Sequence, residues 1–393
     1  MPGIEQARAH VLAKQGLAGP RLDTVLDAIS ATAGIYSTAP TCYLSSAARV
    51  HGFRLADLDA VLFQRRSAVR VRCMRGGMAY IEPLDLLPAL FACTGEAKDR
   101  TLTRVGKWTG LGEDGALALA GRIETAMAGQ PPVTVPEIRK LLGEDPPGTK
   151  EALPMVVALL GRFGRIVRSE VRGGWRSDNY AYALWRDWAG DPVPDIDPAE
   201  ARSELARRYL RAFGPATLED LKWWTGWTKR DTLPALATLA EAGEIVEVAG
   251  CGWLIADELD ALTGTGPAES IRLLPVWDAY FMGYAPGGGG TPGGRARQIT
   301  AADYPKVYDR AGNGTSTVTQ DGLAAGVWQL DADAGTVTVA PFGDLRWDEV
   351  EAEVLALGTS IGTELRLERA PAARPLSEGP RNAFLSPISL MNT

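Results

Sequence analysis

Two arginine-rich segments carry the most evident chemistry in this sequence, because guanidinium groups bind the phosphates of nucleic acids. In each segment, apolar residues alternate around a glycine turn, which predicts a β-hairpin. The hairpins are predicted at Ser67–Ile81 and Gly164–Leu184. We predict that both contact DNA through the arginines they carry: Arg70, Arg72, Arg75, Arg165, Arg168, Arg172 and Arg176. The alternative interpretation is that these arginines only form a solvated surface.

A third segment repeats the hairpin pattern with acidic residues. Gly243–Ile255 alternates apolar residues around its glycines, and Glu241, Glu244 and Glu247 stand where the other segments have arginines. A hairpin that meets phosphate should be basic, so this one is predicted to act as a scaffold. The formal net charge of −7 agrees with local basic surfaces rather than a chain coated in positive charge.

Helical patterns precede the hairpins and would position them. Leu55–Leu62 and Leu218–Trp224 place apolar residues at helical spacing. Pro132–Leu141 and Pro215–Leu221 are near-duplicates of one helix entry. Helix, turn, helix and hairpin together make a winged helix, so the sequence predicts an α+β protein with three such units in tandem. A chance set of α+β hairpins is the alternative.

The pattern changes after Gly264 to strands joined by glycine-rich loops. Strands are predicted at Ile271–Trp277, Gly322–Leu330 and Thr336–Phe342. They predict a C-terminal β-barrel or curled sheet, of which we take the barrel as the prediction. Residues 285–294 are predicted to be a mobile loop, and its basic continuation, Arg295 and Arg297, is expected to reach a phosphate. The alternative is that this segment is only a disordered connection. The predicted domains are winged helices at residues 1–95, 96–190 and 195–262, followed by a β-barrel at residues 268–393.

Several classes of protein are disfavoured by composition. No apolar run approaches the roughly 18 residues of a membrane span, and the polar N-terminus has no secretory pattern. The four cysteines show no CxxC spacing, and with two histidines they predict neither a disulfide framework nor a metal site. We expect a cytoplasmic, nucleoid-associated protein that needs no cofactor, contacts no membrane and has no obligate protein partner.

An ordered set of short motifs resembles one family over nearly the whole chain. The motifs are Gly34–Pro40, Tyr43–Phe53, Met74–Gly76, Tyr209–Thr217, Leu273–Pro275 with Asp278, Tyr280 and Gly283, and Gly322–Trp328. The set resembles the AlkZ-type bacterial DNA glycosylases. This resemblance implies three winged helices and a C-terminal β-barrel arranged as a C-shaped clamp on duplex DNA. It also implies excision of alkylated bases, including bulky adducts and crosslinks left by genotoxic natural products, and in some producers self-resistance.

The sequence departs from the family pattern at the catalytic motif. The family has Gln-x-Gln, or Gln-x-Asp in a sister group, directly after a Gly-Ile or Gly-Leu pair. Here those positions read Tyr36, Ser37 and Thr38. The polar groups that would position a water are therefore replaced by hydroxyl side chains.

Hydroxyl side chains can still serve the hydrolysis of an N7-alkylpurine, because that base is cationic and leaves without a general acid. The enzyme must place a water and stabilise an oxocarbenium-like sugar. Thr38 and Ser37 can hold a water, Tyr36 can stack on the lesion or the sugar, and Asp278 is the candidate carboxylate. Each also has a structural interpretation: Tyr36 as a packing residue, Ser37 and Thr38 as turn residues, Asp278 as an anchor for the barrel.

These observations predict a DNA glycosylase that acts, without metal or cofactor, on double-stranded DNA carrying alkylated or bulky N7-purine adducts. One alternative is a catalytically inactive protein that binds DNA, a lesion or a toxin, and another is a winged-helix transcription regulator. The 36–38 segment separates the first two hypotheses: if a different polar pair occupies the same space, catalysis is retained, and if Tyr36 closes the pocket, catalysis is lost.

Overall fold

The computed structural model describes residues 2–74, 78–93, 95–143, 149–286, 294–310 and 312–377. Its α-helices are α1 (Ile4–Lys14), α2 (Val25–Ala31), α3 (Thr41–Arg49), α4 (Leu55–Asp59), α5 (Leu87–Ala92), α6 (Gly95–Thr109), α7 (Gly112–Met127), α8 (Val135–Leu142), α9 (Thr149–Arg162), α10 (Trp185–Ala189), α11 (Pro198–Phe213), α12 (Leu218–Thr225), α13 (Lys229–Glu241), α14 (Leu259–Gly264), α15 (Ala279–Met282), α16 (Tyr304–Val307) and α17 (Trp347–Ile361). Its strands are β1 (Ile35–Tyr36), β2 (Ala68–Met74), β3 (Met78–Pro83), β4 (Ile166–Arg172), β5 (Asn179–Leu184), β6 (Ile245–Val248), β7 (Gly252–Ile255), β8 (Ile271–Leu274), β9 (Thr317–Gln320), β10 (Leu323–Asp331), β11 (Thr336–Pro341) and β12 (Arg366–Arg369). None of the helices described is long and apolar enough to cross a membrane.

One topology occurs three times along the chain. In each copy an extended segment is followed by two helices and then by an antiparallel hairpin: β2–β3, β4–β5 or β6–β7. The extended segment pairs with the second strand of that hairpin, at Ile35 with Ile81, Val133 with Tyr182 and Ala216 with Trp253. The hairpins therefore lie where alternation around glycine turns predicts them.

The second and third copies begin their helices with the same cap. Thr134 and Thr217 each form a capping box with the acidic residue three positions later, Glu137 and Asp220. This arrangement satisfies amide groups that a helix start leaves unpaired. The near-duplicate helix entries of the sequence are thus the same structural feature.

The C-terminal region is an open sheet, so the predicted β-barrel is wrong. The strand order is β12-β11-β10-β9-β8, and β11 and β12 are parallel while the other neighbours are antiparallel. Closure would require the outer strands β8 and β12 to pair, and they do not pair within the described residues. Instead, α17 packs against the sheet with apolar residues at helical spacing: Val350, Val354, Leu357 and Ile361.

A hydrophobic core joins this sheet to the first copy of the repeated topology. Buried residues of α2 and α3, such as Ile29 and Tyr43, share one cluster with Val318, Trp328 and Val339 of the sheet. The first and last parts of the chain are therefore packed together around a common interior. This packing fixes β1 and the residues after it, which line the cleft described next.

Candidate active site

The segment after β1 differs from the corresponding segments of the other two copies. There the extended segment leads directly to a capping threonine, whereas here Tyr36–Pro40 precede α3, and Pro40 provides no side-chain cap. The segment is fixed at its start because the Ser37 amide donates to the Ala79 carbonyl at 3.0 Å. The first copy thus replaces a helix cap with a short loop.

This loop lines an open cleft of about 420 Å³ between the first sheet and the hairpin β4–β5. Tyr36 and Thr38 come from the loop and its strand. The remaining lining residues are Arg72, Met78 and Ala79 from β2–β3, and Arg168, Asp178 and Tyr180 from the region of β4–β5. Residues distant in sequence therefore meet at the position that the family resemblance assigns to catalysis.

Tyr36 forms a wall of the cleft. Its ring contacts the ring of Trp277 at 5.2 Å and that of Tyr80 at 5.7 Å between centroids. These edge and tilted contacts are favourable for aromatic pairs and hold the ring in place. The cleft remains open beside it, so Tyr36 does not close the pocket in this conformation.

A carboxylate, Asp178, connects the second hairpin to the loop. Its Oδ1 accepts the Ala39 amide at 3.0 Å and the Tyr180 hydroxyl at 2.7 Å. The Tyr180 hydroxyl also lies 3.3 Å from the Ser37 carbonyl. Burial raises the pKa of Tyr180, so its hydroxyl remains a hydrogen-bond donor. These contacts fix the carboxylate next to Thr38.

Two guanidinium groups make the cleft cationic. Arg168 stacks on the Tyr180 ring at 4.3 Å, and Arg72 lines the cleft from β2. Burial, followed by the nearby charge of Arg168, lowers the pKa of Arg72, and an arginine stays charged even so. Two like charges in one cleft repel each other, and an anion such as a phosphate would relieve that repulsion.

Two of the candidate catalytic residues are inaccessible. The Ser37 side chain is fully buried, so it cannot touch a substrate. Asp278 is also fully buried and forms a bidentate ion pair with Arg49, at 2.6 Å and 2.7 Å, while accepting the Ser45 hydroxyl. Predicting these two side chains as catalytic was wrong. Asp278 instead caps α15 and anchors α3 against the C-terminal region.

Three of the predicted DNA-binding arginines are also buried, so their prediction was wrong. Arg70 lies between the rings of Phe63 and Tyr180. Arg295 stacks on Tyr308 and Arg297 on Tyr284, each at 4.2 Å. Aromatic faces and carbonyl groups inside the protein, rather than phosphates, take up these guanidinium groups. Sequence alone gave no sign of this, since spacing along the chain does not show that Arg70 meets Phe63 and Tyr180 or that Arg297 meets Tyr284.

The other predicted arginines lie nearer the surface. Arg165 and Arg172 are exposed and pair with Glu124 and Glu170, while Arg176 pairs with Asp333. The Arg172–Glu170 pair is exposed on both sides, and such pairs contribute little to stability. Arg75 lies outside the described residues, as does most of the predicted loop at residues 285–294. The DNA contacts of these arginines and the mobility of this loop remain predictions.

Sequence reasoning missed Asp178 and Tyr180. Both lie at the end of the arginine-rich second hairpin, and neither belongs to a recognisable motif. The single available signal was their place on a hairpin predicted to meet DNA. Their approach to Thr38 depends on how two separate copies of the repeated topology pack, which local patterns do not encode.

Comparison with known proteins agrees with this architecture. The structure of Streptomyces sahachiroi DNA glycosylase AlkZ superposes with a TM-score of 0.77 at 19% identity, covering 94% of this chain and 100% of that one. At that identity the likeness shows the fold. The Streptomyces sahachiroi "Interstrand DNA cross-link repair glycosylase" is 29% identical over 163 residues, which span 40% of this chain and 40% of that relative. A family model described as "DNA glycosylase AlkZ-like" matches residues 26–360. Because that match spans most of the sequence, the chain belongs to the AlkZ-like DNA glycosylase family.

Proposed function

We propose that this chain is a DNA glycosylase that hydrolyses the N-glycosidic bond of N7-alkylated or bulky purine adducts in duplex DNA, without metal or cofactor. The observation that carries the proposal is the open, cationic cleft at the 36–38 segment. It combines an aromatic wall from Tyr36, the Thr38 hydroxyl and the guanidinium groups of Arg72 and Arg168. Family membership supplies the reaction class, and the cleft supplies a place for it.

The chemistry suits an N7-alkylated purine. Such a base carries a positive charge and leaves the sugar as a neutral molecule, so no general acid is needed. The Thr38 hydroxyl can orient a water, and the Tyr36 ring offers a face for a flat adduct. The two arginines would hold the phosphates that flank the lesion.

The repeated topology supports the proposed DNA clamp. Each copy has the element order of a winged helix, and we propose three of them, at residues 1–95, 96–190 and 195–262, with the C-terminal sheet from residue 268 onwards. The hairpins β2–β3 and β4–β5 would face the duplex in a C-shaped arrangement, with the exposed Arg165 and Arg172 and the half-buried Arg176 meeting its backbone.

The substrate class follows from the named relative. That protein is called an interstrand crosslink repair glycosylase, and we propose that this chain also accepts bulky or crosslinked purines. Protection of a producing bacterium from its own genotoxic product is the corresponding biological role. It would act in the cytoplasm, on the nucleoid.

The second candidate function is binding without catalysis. It is favoured by one observation: the family's amide and carboxylate positions are occupied by Tyr36 and Thr38. Such a protein would hold a lesion or a toxin, or regulate transcription, through the same cationic cleft. It would bind adducted duplex and release no base.

Base release from adducted duplex tests the proposal. Duplex DNA is treated with a simple N7-methylating agent and, in parallel, with a bulky guanine-directed natural product, and freed bases are separated by chromatography. The proposal expects release of at least one adduct above the spontaneous rate, with abasic sites left in equal amount. Tight binding of both duplexes with no release would instead establish the second candidate.

A further inference from the structure

Asp178 stands where a base for the attacking water is needed. It is the one carboxylate among the described residues that line the cleft. The Thr38 hydroxyl can orient a water but is a poor proton acceptor, because its conjugate acid is strongly acidic. A carboxylate can accept the proton. We propose that Asp178, delivered from the second hairpin, is the general base, an inference that rests on the proposed glycosylase function.

The geometry prepares Asp178 for this role. Its Oδ1 is held by the Ala39 amide at 3.0 Å and the Tyr180 hydroxyl at 2.7 Å. Its Oδ2 has no hydrogen-bond partner in the part of the chain that the structure describes. One oxygen therefore fixes the group and the other stays available to a water. Because Oδ1 binds the amide of Ala39, the residue that follows Thr38, the Asp178 carboxylate is held near Thr38. Both side chains line the same cleft, so one water can contact both.

The proposed step balances as a hydrolysis. The bond between C1′ and N9 of the adducted purine breaks, and its electron pair neutralises the cationic base as it leaves. The oxygen of the water forms a bond to C1′, and its proton passes to Oδ2 of Asp178. The products are a free base and an abasic sugar, and Asp178 returns its proton to solvent.

The guanidinium groups have a separate task in this arrangement. Arg168 stacks on the ring of Tyr180, whose hydroxyl in turn holds Asp178. Arg72 and Arg168 then bind flanking phosphates, while Asp178 faces the positive charge that develops on the sugar. The second hairpin thus provides both a backbone clamp and the reacting carboxylate.

The test is Asp178→Asn. An amide oxygen can still accept from Ala39 and Tyr180, so the loop is retained while the base is lost. Single-turnover release of N7-methylguanine should fall about 100-fold, the lower end of the range for general base catalysis. The Kd for adducted duplex should stay within about threefold, and the thermal melting temperature should be unchanged. Glu247→Gln, which removes an exposed carboxylate from the third hairpin, serves as the matched control and should release base at the wild-type rate.

A pH profile separates a base from a structural residue. A residue that takes the proton of the attacking water predicts a wild-type rate of release that rises with pH, and this rise should disappear in Asp178→Asn. A variant that keeps the wild-type rate, or that loses rate while keeping the rise, would overturn the assignment of Asp178. If the wild type itself releases no base, the proposed function fails instead, so the two failures are distinguishable.

Discussion

The second and third hairpins occupy the same place in the repeated topology and differ in what they contact. The hairpin β4–β5 extends past its own copy: its Asp178 reaches the Ala39 amide, and Arg176 near its tip pairs with Asp333 of the C-terminal region. The hairpin β6–β7 has strands of four residues and packs against α1. Its Val248 and Leu254 pack with Ala7 of α1.

The difference shows how one scaffold gives both support and a site. The charged residues of the two hairpins differ in their partners. Glu244, just before β6, pairs with Arg207 of α11, whereas Arg168 of β4 has no ion-pair partner in the described residues. An arginine stacked on an aromatic ring beside a cleft remains available to a phosphate. We infer that the second hairpin serves the cleft because its strands are longer and carry arginines, and that the shorter, acidic third hairpin serves as a support.

The largest expected effect is on stability and comes from the third hairpin. Leu254 is fully buried, so Leu254→Ala should lower the free energy of unfolding by about 3 kcal/mol, through lost burial and the cavity it leaves. Base release by the folded protein should not change. Denaturant unfolding and single-turnover release measure the two quantities. A slower release at unchanged stability would mean that this hairpin serves the site after all.

The next effect is on catalysis and comes from the loop that faces the second hairpin. Thr38→Ala removes a hydroxyl that we propose orients the water, and release should fall at least about tenfold while duplex binding persists. Thr38→Ser keeps the hydroxyl and should retain most of the rate. Equal rates for wild type and Thr38→Ala would remove Thr38 from the site.

The smallest effect is on DNA binding. Arg168→Ala and Arg72→Ala should each weaken duplex binding about fivefold and lessen the dependence of log Kd on log salt by about one unit, as expected for one lost phosphate contact. Arg366→Ala on β12 removes an exposed arginine from an outer strand of the C-terminal sheet and is the control. Unchanged salt dependence in both cleft variants would separate this cleft from the DNA backbone.

Local patterns were sufficient for the hairpins and insufficient for the last sheet. Alternation around glycines located β2–β3, β4–β5 and β6–β7, because a hairpin is specified by neighbouring residues. The barrel was wrong because closure depends on which strands lie at the edges. The outer strand β12, Arg366–Arg369, is polar and is brought to the sheet by the preceding α17.

Residues of the cleft were predictable from the sequence only where the family pattern marks their position along the chain. Family resemblance predicted Tyr36 and Thr38 as site residues, and both line the cleft. It also favoured Asp278, whose motif serves a buried ion pair with Arg49 instead. Whether an arginine or an aspartate is buried depends on partners distant in sequence, and Asp178 was missed for the same reason.

The most direct test of the account is the structure of the protein bound to duplex DNA with a slowly hydrolysed N7-methylguanine nucleotide, its sugar carrying a 2′-fluorine. The account predicts that the C1′ of this nucleotide lies in the cleft, with one water between the Thr38 hydroxyl and Asp178 Oδ2, and flanking phosphates on Arg72 and Arg168. A lesion bound elsewhere on the surface, with the cleft occupied by solvent alone, would contradict it.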